Sequence, residues 1–233
     1  MTKVEIAGIQ GESHQVKVNG ITLHYTQCGI GDPLILLHGN GEDQRIFAPL
    51  MAKLANYFTV YALDSRNHGQ SEKTDQYHYS LMMQDTHAFI DALSLGKVNM
   101  LGFSDGSIIT MLLALTAPEK VDRLMLLGPN LQPSDLTESC LRYMRMVYRQ
   151  TADPLYKMML EEPNILLSDL AKIPHRTLVF GGENDLYKPM TLENISAALP
   201  NGTLKIIKDH DHGSYIVNND LIFDDLLTFL QAS

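Results

Sequence analysis

Short apolar, β-rich runs recur at residues 21–25, 34–37, 58–63, 98–101, 124–127, 178–180 and 204–207. Helix-period segments lie among them at 46–55, 81–95, 107–117, 190–199 and 221–230. This alternation is the strongest constraint on the fold. Several runs are continuous rather than alternating in polarity, which suits strands buried on both faces of a parallel sheet. Parallel neighbours need a crossover connection, and the helical segments supply it. The pattern predicts an α/β protein of three layers, a mostly parallel sheet with helices on both faces. Residues 15–18 can pair with the first run across Asn19-Gly20, a two-residue hairpin turn, so the N-terminal part is expected as an antiparallel edge. From 131 to about 170 the alternation stops, with helical stretches at 141–149 and 155–160 and breaks at Pro133, Pro154 and Pro163. A helical insertion between strands cannot widen the sheet. Residues 131–170 are therefore expected as a short helical cap on a single domain spanning 1–233.

The chain has 233 residues, enough for a substantial core. With 18 Lys+Arg against 27 Asp+Glu its formal charge is −9. That balance disfavours nucleic acid, whose phosphates need a positive face. A hydrophobic share of 45% and a charged share of 19% exclude global disorder. No apolar run reaches the roughly 20 residues of a membrane helix. Residues 1–14 lack the charged-then-apolar pattern of a secretory leader, so a cytoplasmic protein without a membrane partner is expected. Cys28 and Cys140 lie too far apart in sequence for a CxxC site and read as structural thiols. Among the nine histidines, only His210 and His212 are closely spaced, around Asp211. No third ligand follows at motif spacing, and no metal is expected.

Gly102-Phe103-Ser104-Asp105-Gly106 has the form Gly-x-Ser-x-Gly and falls between the predicted strand at 98–101 and the predicted helix at 107–117. Glycines there permit a tight strand-to-helix turn that exposes a serine oxygen. A hydroxyl is a weak nucleophile and needs a base held by an acid. In open α/β sheets such groups gather at the carboxyl ends of strands. Two later strand ends carry them: Glu183 and Asp185 after the run at 178–180, His210 and His212 after the run at 204–207. The chain order is therefore Ser, carboxylate, His.

These residues, with three further segments, resemble the α/β-hydrolase fold superfamily in its small ester-hydrolase-like branch. Leu36-Leu37-His38-Gly39-Asn40-Gly41 resembles the family's oxyanion loop. The run Asp64-Ser65-Arg66-Asn67-His68-Gly69-Gln70-Ser71 resembles its D-x-R-x-x-G-x-S loop. Leu170-Ala171-Lys172-Ile173-Pro174 stands before the acid-bearing strand, as in the family. The resemblance runs from about residue 16 to the end, with the cap where the family places its lid. It implies Ser104 as nucleophile, Asp185 as acid and His212 as base, with Glu183 and His210 as the displaced alternatives. It implies the backbone amides of Asn40 and Asp105 as the oxyanion hole, and loop-bracing roles for His38, Asp64, Arg66 and His68.

The expected function is hydrolysis of a small carboxylic ester through a covalent acyl-enzyme, without cofactor or metal, by a monomer or homodimer. The same triad could serve a C–C bond hydrolase, a thioesterase or an aminopeptidase, and the same scaffold a non-hydrolytic receptor. Asp105 adds a further expectation. A carboxylate beside the nucleophile needs a partner. A lid arginine, a backbone amide or the following helix start would serve, and so would the ammonium of a substrate. Serine hydrolases with a similar Ser-Asp-Gly elbow act on amino-acid esters, which implies Asp105 as a substrate-binding residue too. Arg142, Arg145 and Arg149 share one helix face of the cap and are expected to face solvent.

Overall fold

The computed structural model describes residues 2–232. Its strands are β1 (Thr2–Ile6), β2 (Ile9–Val18), β3 (Ile21–Cys28), β4 (Asp32–Leu37), β5 (Phe58–Leu63), β6 (Val98–Phe103), β7 (Val121–Leu127), β8 (Arg176–Asn184) and β9 (Gly202–Asp211). They form one sheet in the order β1-β2-β3-β5-β4-β6-β7-β8-β9. From β5 to β9 every pairing is parallel; β1, β2 and β3 add the antiparallel edge. Val18 pairs with Ile21 around the Asn19-Gly20 turn, as the sequence predicts.

The run Leu34-Ile35-Leu36-Leu37 is at most 1% exposed throughout, and its residues divide between two cores. Ile35 and Leu37 join the core beneath α2 (Tyr79–Ala92), α3 (Asp105–Thr116) and α6 (Thr191–Ala198). Leu34 and Leu36 join the core on the opposite face, against α1 (Ala48–Leu54) and α7 (Phe223–Gln231). This division accounts for the continuous apolar runs: a strand covered on both faces has no side left for polar residues. Between β7 and β8 lie α4 (Glu138–Thr151), α5 (Pro154–Glu161) and two short 3-10 turns. Thr137 caps α4 by accepting from the Cys140 amide at 3.4 Å, and Asp153 caps α5 from the Leu155 amide at 2.9 Å. Leu141, Met144 and Met158 press this layer onto the α2/α3 side, while Arg142, Arg145 and Arg149 face solvent.

The structure departs from the sequence reading at both sheet edges. β1 and the first half of β2 form an additional hairpin, turning at Ala7 and Gly8, both with positive φ. β9 extends well beyond its four-residue apolar run. Edge strands are covered on fewer sides, so they carry too few apolar residues to stand out. Helix α1 starts later than its periodicity suggests, because a 3-10 turn (Gln44–Phe47) precedes it and Pro49 sits in its first turn. Both cysteines are free thiols, and burial pushes Cys28 up to about 11.

The loop after β5 is tied to the body by a buried ion pair. Arg66 donates to both oxygens of Asp85 at 2.6 and 2.7 Å, and the Asn19 side-chain amide donates to the same carboxylate at 2.8 Å. Arg66 and Asp85 are each 2% exposed. Removing one partner leaves the other buried and uncompensated. Asp85→Asn should therefore lower the unfolding free energy in urea by about 3–5 kcal/mol, and the double variant Arg66→Met/Asp85→Leu by clearly less. Equal losses in both would mean that the pair itself holds the loop.

Candidate active site

The turn from β6 into α3 holds Ser104 at φ 52°, ψ −114°, a conformation costly for a residue with a side chain. Surrounding backbone enforces it. The Ser104 amide donates to the Leu127 carbonyl at 2.8 Å. A Cβ on Gly102 would lie 2.1 Å from the Gly106 carbonyl oxygen, and one on Gly106 would lie 2.1 Å from that of Leu37. Both motif glycines are thus required by close backbone approach. The turn leaves Ser104 half-buried with its hydroxyl facing a histidine.

That histidine is His212, on the loop following β9. Its Nε2 lies 3.0 Å from Ser104 Oγ, and its Nδ1 lies 2.7 Å from Asp185 Oδ1. Asp185 is fixed in turn by the Leu186 amide at 2.7 Å and the Gly182 amide at 3.2 Å. A carboxylate only accepts, so Nδ1 carries the hydrogen and Nε2 is left to accept from the serine. The imidazole packs between Phe103 and Tyr187, with ring centroids at 5.0 and 5.5 Å. Beneath it lies Gly128, at φ +57°, where a Cβ would fall 2.6 Å from His212 Cε1. The Tyr187 hydroxyl donates to the Gly128 carbonyl at 2.6 Å and holds that floor in place.

Glu183 and His210 stand outside this chain of hydrogen bonds. Glu183 accepts from the Asp209 amide, and the His210 ring meets Ser214 Oγ. Asp211 shapes the loop instead, accepting from the Gly213 and Ser214 amides at 3.1 and 2.9 Å.

The loop after β4 faces the serine. His38 Nε2 accepts from the Ser65 amide at 3.1 Å and its Nδ1 donates to the Gly39 carbonyl at 2.8 Å, which requires a neutral ring. Burial and the neighbouring His68 push His38 down to about 4, consistent with that role. As the first residue of α3, Asp105 has no carbonyl one turn back, so its N–H points out of the helix start. Its carboxylate, 5% exposed, receives the Asn40 side-chain amide at 2.9 Å and the Tyr79 hydroxyl at 2.8 Å. Neither donor was among the protein partners expected from sequence. Tyr79 opens a helix remote in the chain, and no local pattern aims it at residue 105. Burial raises the Asp105 carboxyl pKa, although both hydrogen bonds oppose the rise.

Glu42 is a further acidic group that the sequence reading passed over. Its Oε2 accepts from the Gly39 amide at 3.0 Å, and burial raises its pKa. Tyr187 and Gly128 went unnoticed for a different reason: their part depends on where the His212 ring lands.

The chain belongs to the α/β-hydrolase fold family: a family profile described as alpha/beta hydrolase fold matches residues 32–157. It is 34% identical over 137 residues to human serine hydrolase BPHL, covering 55% of this chain and 46% of that protein. It is also 34% identical over 117 residues to the (E)-2-((N-methylformamido)methylene)succinate hydrolase of Acinetobacter baylyi, covering 47% of this chain and 42% of that protein. The matched regions thus span less than half the length of these relatives. Among solved structures, carboxylesterase CesB (YbfK) of Bacillus subtilis superposes with a TM-score of 0.82 at 18% identity, covering 98% of this chain and 94% of that one. No helix among the described residues is long and apolar enough to cross a membrane.

Gly128→Ala should push the His212 ring off its floor, lowering kcat by at least about tenfold as hydrogen-bond geometry is lost. A melting temperature and a kcat both close to wild type would show that the floor is not needed.

Proposed function

We propose that this protein is a hydrolase that cleaves a small carboxylic ester through a covalent acyl-enzyme. The observation that carries the reading is the continuous hydrogen-bond chain Ser104–His212–Asp185 at a strained elbow. Ser104 Oγ attacks the carbonyl carbon while His212 Nε2 takes its proton. The imidazolium is steadied by Asp185 and passes the proton to the leaving oxygen. Water, activated by the same imidazole, then releases the acyl group. The Asn40 and Asp105 amides hold the oxyanion. In this reading the Asp105 carboxylate is a strut: its own amide supplies one donor, and it grips the side chain of the residue that supplies the other.

Substrate charge follows from the two carboxyl groups beside the serine loop. Asp105 and Glu42 lie within electrostatic reach of His212 and of each other, and their oxygens accept from the Asn40 amide, the Tyr79 hydroxyl and the Gly39 amide as carboxylates do. An anionic substrate would meet them at a cost, so a neutral or cationic ester fits better than a dicarboxylate such as the one named for the Acinetobacter relative. The thioester, amide and C–C readings keep the same triad and are separated by a substrate panel.

Ser104→Ala should remove covalent labelling by a serine-directed phosphonate and lower ester turnover by roughly four to six orders of magnitude. His212→Ala should be comparably severe, and His210→Ala mild. Near-normal esterase activity in the Ser104 variant would end this reading.

Asp105→Asn separates strut from substrate anchor. The strut predicts that kcat falls by a similar factor for an amino-acid ester and for its neutral des-amino analogue. An anchor for a substrate ammonium predicts a selective loss of kcat/KM for the amino ester, and that result would replace the strut.

A further inference from the structure

A second serine stands against a histidine and an aspartate at the far side of the sheet edge. Ser13 Oγ lies 2.7 Å from His24 Nε2, and His24 Nδ1 lies 3.0 Å from Asp64 Oδ2. The connectivity repeats that of Ser104, His212 and Asp185 atom for atom. It arises from sheet register. Ser13 pairs with Thr26 and Gln15 with His24 across β2 and β3, which makes Ser13 and His24 diagonal neighbours on one face. Asp64 follows directly on β5, the other neighbour of β3.

The aspartate is held ionised. Burial raises its pKa, but hydrogen bonds from His24 and from the Gln44 and Gln70 amides, both at 2.9 Å, outweigh burial and leave it below the ordinary carboxylate value. An ionised carboxylate only accepts, so His24 Nδ1 carries the hydrogen and Nε2 is free to take a proton from Ser13. The Gln44 side-chain amide supports the same tautomer. Its Nε2 lies 2.8 Å from His24 Nδ1 while its buried Oε1 has no partner. Turning the amide over places the oxygen on the Nδ1–H and relieves both.

The group is reachable. His24 is only 4% exposed, but Ser13 is half-buried and both line a cavity of about 370 Å³ with apolar walls that include Val4, Ile6, Ala48 and Met51. This cavity is lined by a different set of residues from those around Ser104. A buried His–Asp pair that only braced the loop would not need a serine hydroxyl on its outer nitrogen facing an apolar hollow.

We propose that Ser13, His24 and Asp64 form a second acyl-accepting site, at which Ser13 takes the acyl group of an activated ester. Ser13 Oγ bonds to the carbonyl carbon as its proton moves to His24 Nε2. The ester C–O bond then breaks, and the leaving oxygen takes that proton or departs as a stabilised phenolate. The products are an O-acyl serine and an alcohol or phenol. Ser13 lies in mid-strand, with β2 paired to β1 on one side and β3 on the other, so its neighbouring amides serve the sheet rather than an oxyanion hole. The reaction is therefore stoichiometric and slow.

The test uses the Ser104→Ala protein, 4-nitrophenyl acetate and mass spectrometry of the intact chain and its peptides. One acetyl group should appear on Ser13, about 100-fold or more slowly than on Ser104 of the wild type, as expected where oxyanion donors are missing. The adduct should vanish in Ser104→Ala/Ser13→Ala and drop at least tenfold in Ser104→Ala/His24→Asn of confirmed fold. The Ser13→Ala change is small and half-exposed, so its result stands even where the His24 variant does not fold. Acetylation confined to lysines or tyrosines overturns the proposal, as does a Ser13 adduct that forms equally fast without His24. A Ser104→Ala protein whose Ser13 stays unmodified overturns it too, while leaving the role of Ser104 untouched.

Discussion

Gly106, in the first turn of α3, presses against the Leu37 carbonyl at the end of β4, with no room for a side chain between them. Several features of the site depend on this contact. It brings the start of α3 beside the loop that follows β4, so the amides of Asn40 and Asp105 are borne by adjacent segments. With the Gly102–Gly106 approach it forces the turn into which only the strained Ser104 conformation fits. Strain of this kind persists because the surrounding backbone leaves no alternative. It also sets the serine at the carboxyl end of the parallel strands, where the loops bearing Asp185 and His212 arrive.

From that turn, hydrogen bonds extend outward to the helical layer between β7 and β8. Asp105 receives the Tyr79 hydroxyl, and the Tyr79 amide donates to Glu162 Oε2 at 3.1 Å, just after α5. The other Glu162 oxygen meets His78 at 2.6 Å. Tyr79, 1% exposed, thus bridges the residue next to the serine and the end of the helical layer. A shift of that layer would be felt at Asp105, and through it at Asn40.

A dense run of buried polar groups, Asp64, Ser65, Arg66, Asn67 and His68, lies in the loop after β5, which must hold shape without regular structure. Asp64 ties the loop after β5 to the Gln44 and Gln70 amides, while Arg66 ties it to α2 through Asp85. Gln70 belongs to the loop itself, whereas Gln44 lies in a 3-10 turn 20 residues from Asp64 and Asp85 in a helix 19 residues from Arg66. The D-x-R-x-x-G-x-S pattern announces a braced loop, yet neither Asp85 nor Gln44 carries a local mark of its part in it. The same holds at the elbow, where Gly-x-Ser-x-Gly is legible but Tyr79, Glu42 and Gly128 are not.

Local pattern by itself determined the layer order, the hairpin at Asn19-Gly20, the central strands, the helical insertion and the turn that bears Ser104. Each rests on the period of apolar residues or on glycines at a short fixed spacing, which act within a few residues of themselves. The preference for His212 over His210, and for Asp185 over Glu183, rests on resemblance; in the structure His212 and Asp185 are hydrogen-bonded in line with Ser104. Only the tertiary structure decided what Asp105 binds, what floors the His212 ring, and that Ser13, His24 and Asp64 meet. Those contacts join segments that lie 11 or more residues apart, and side-chain meetings across strands and layers depend on register and packing, which no window of neighbouring residues contains.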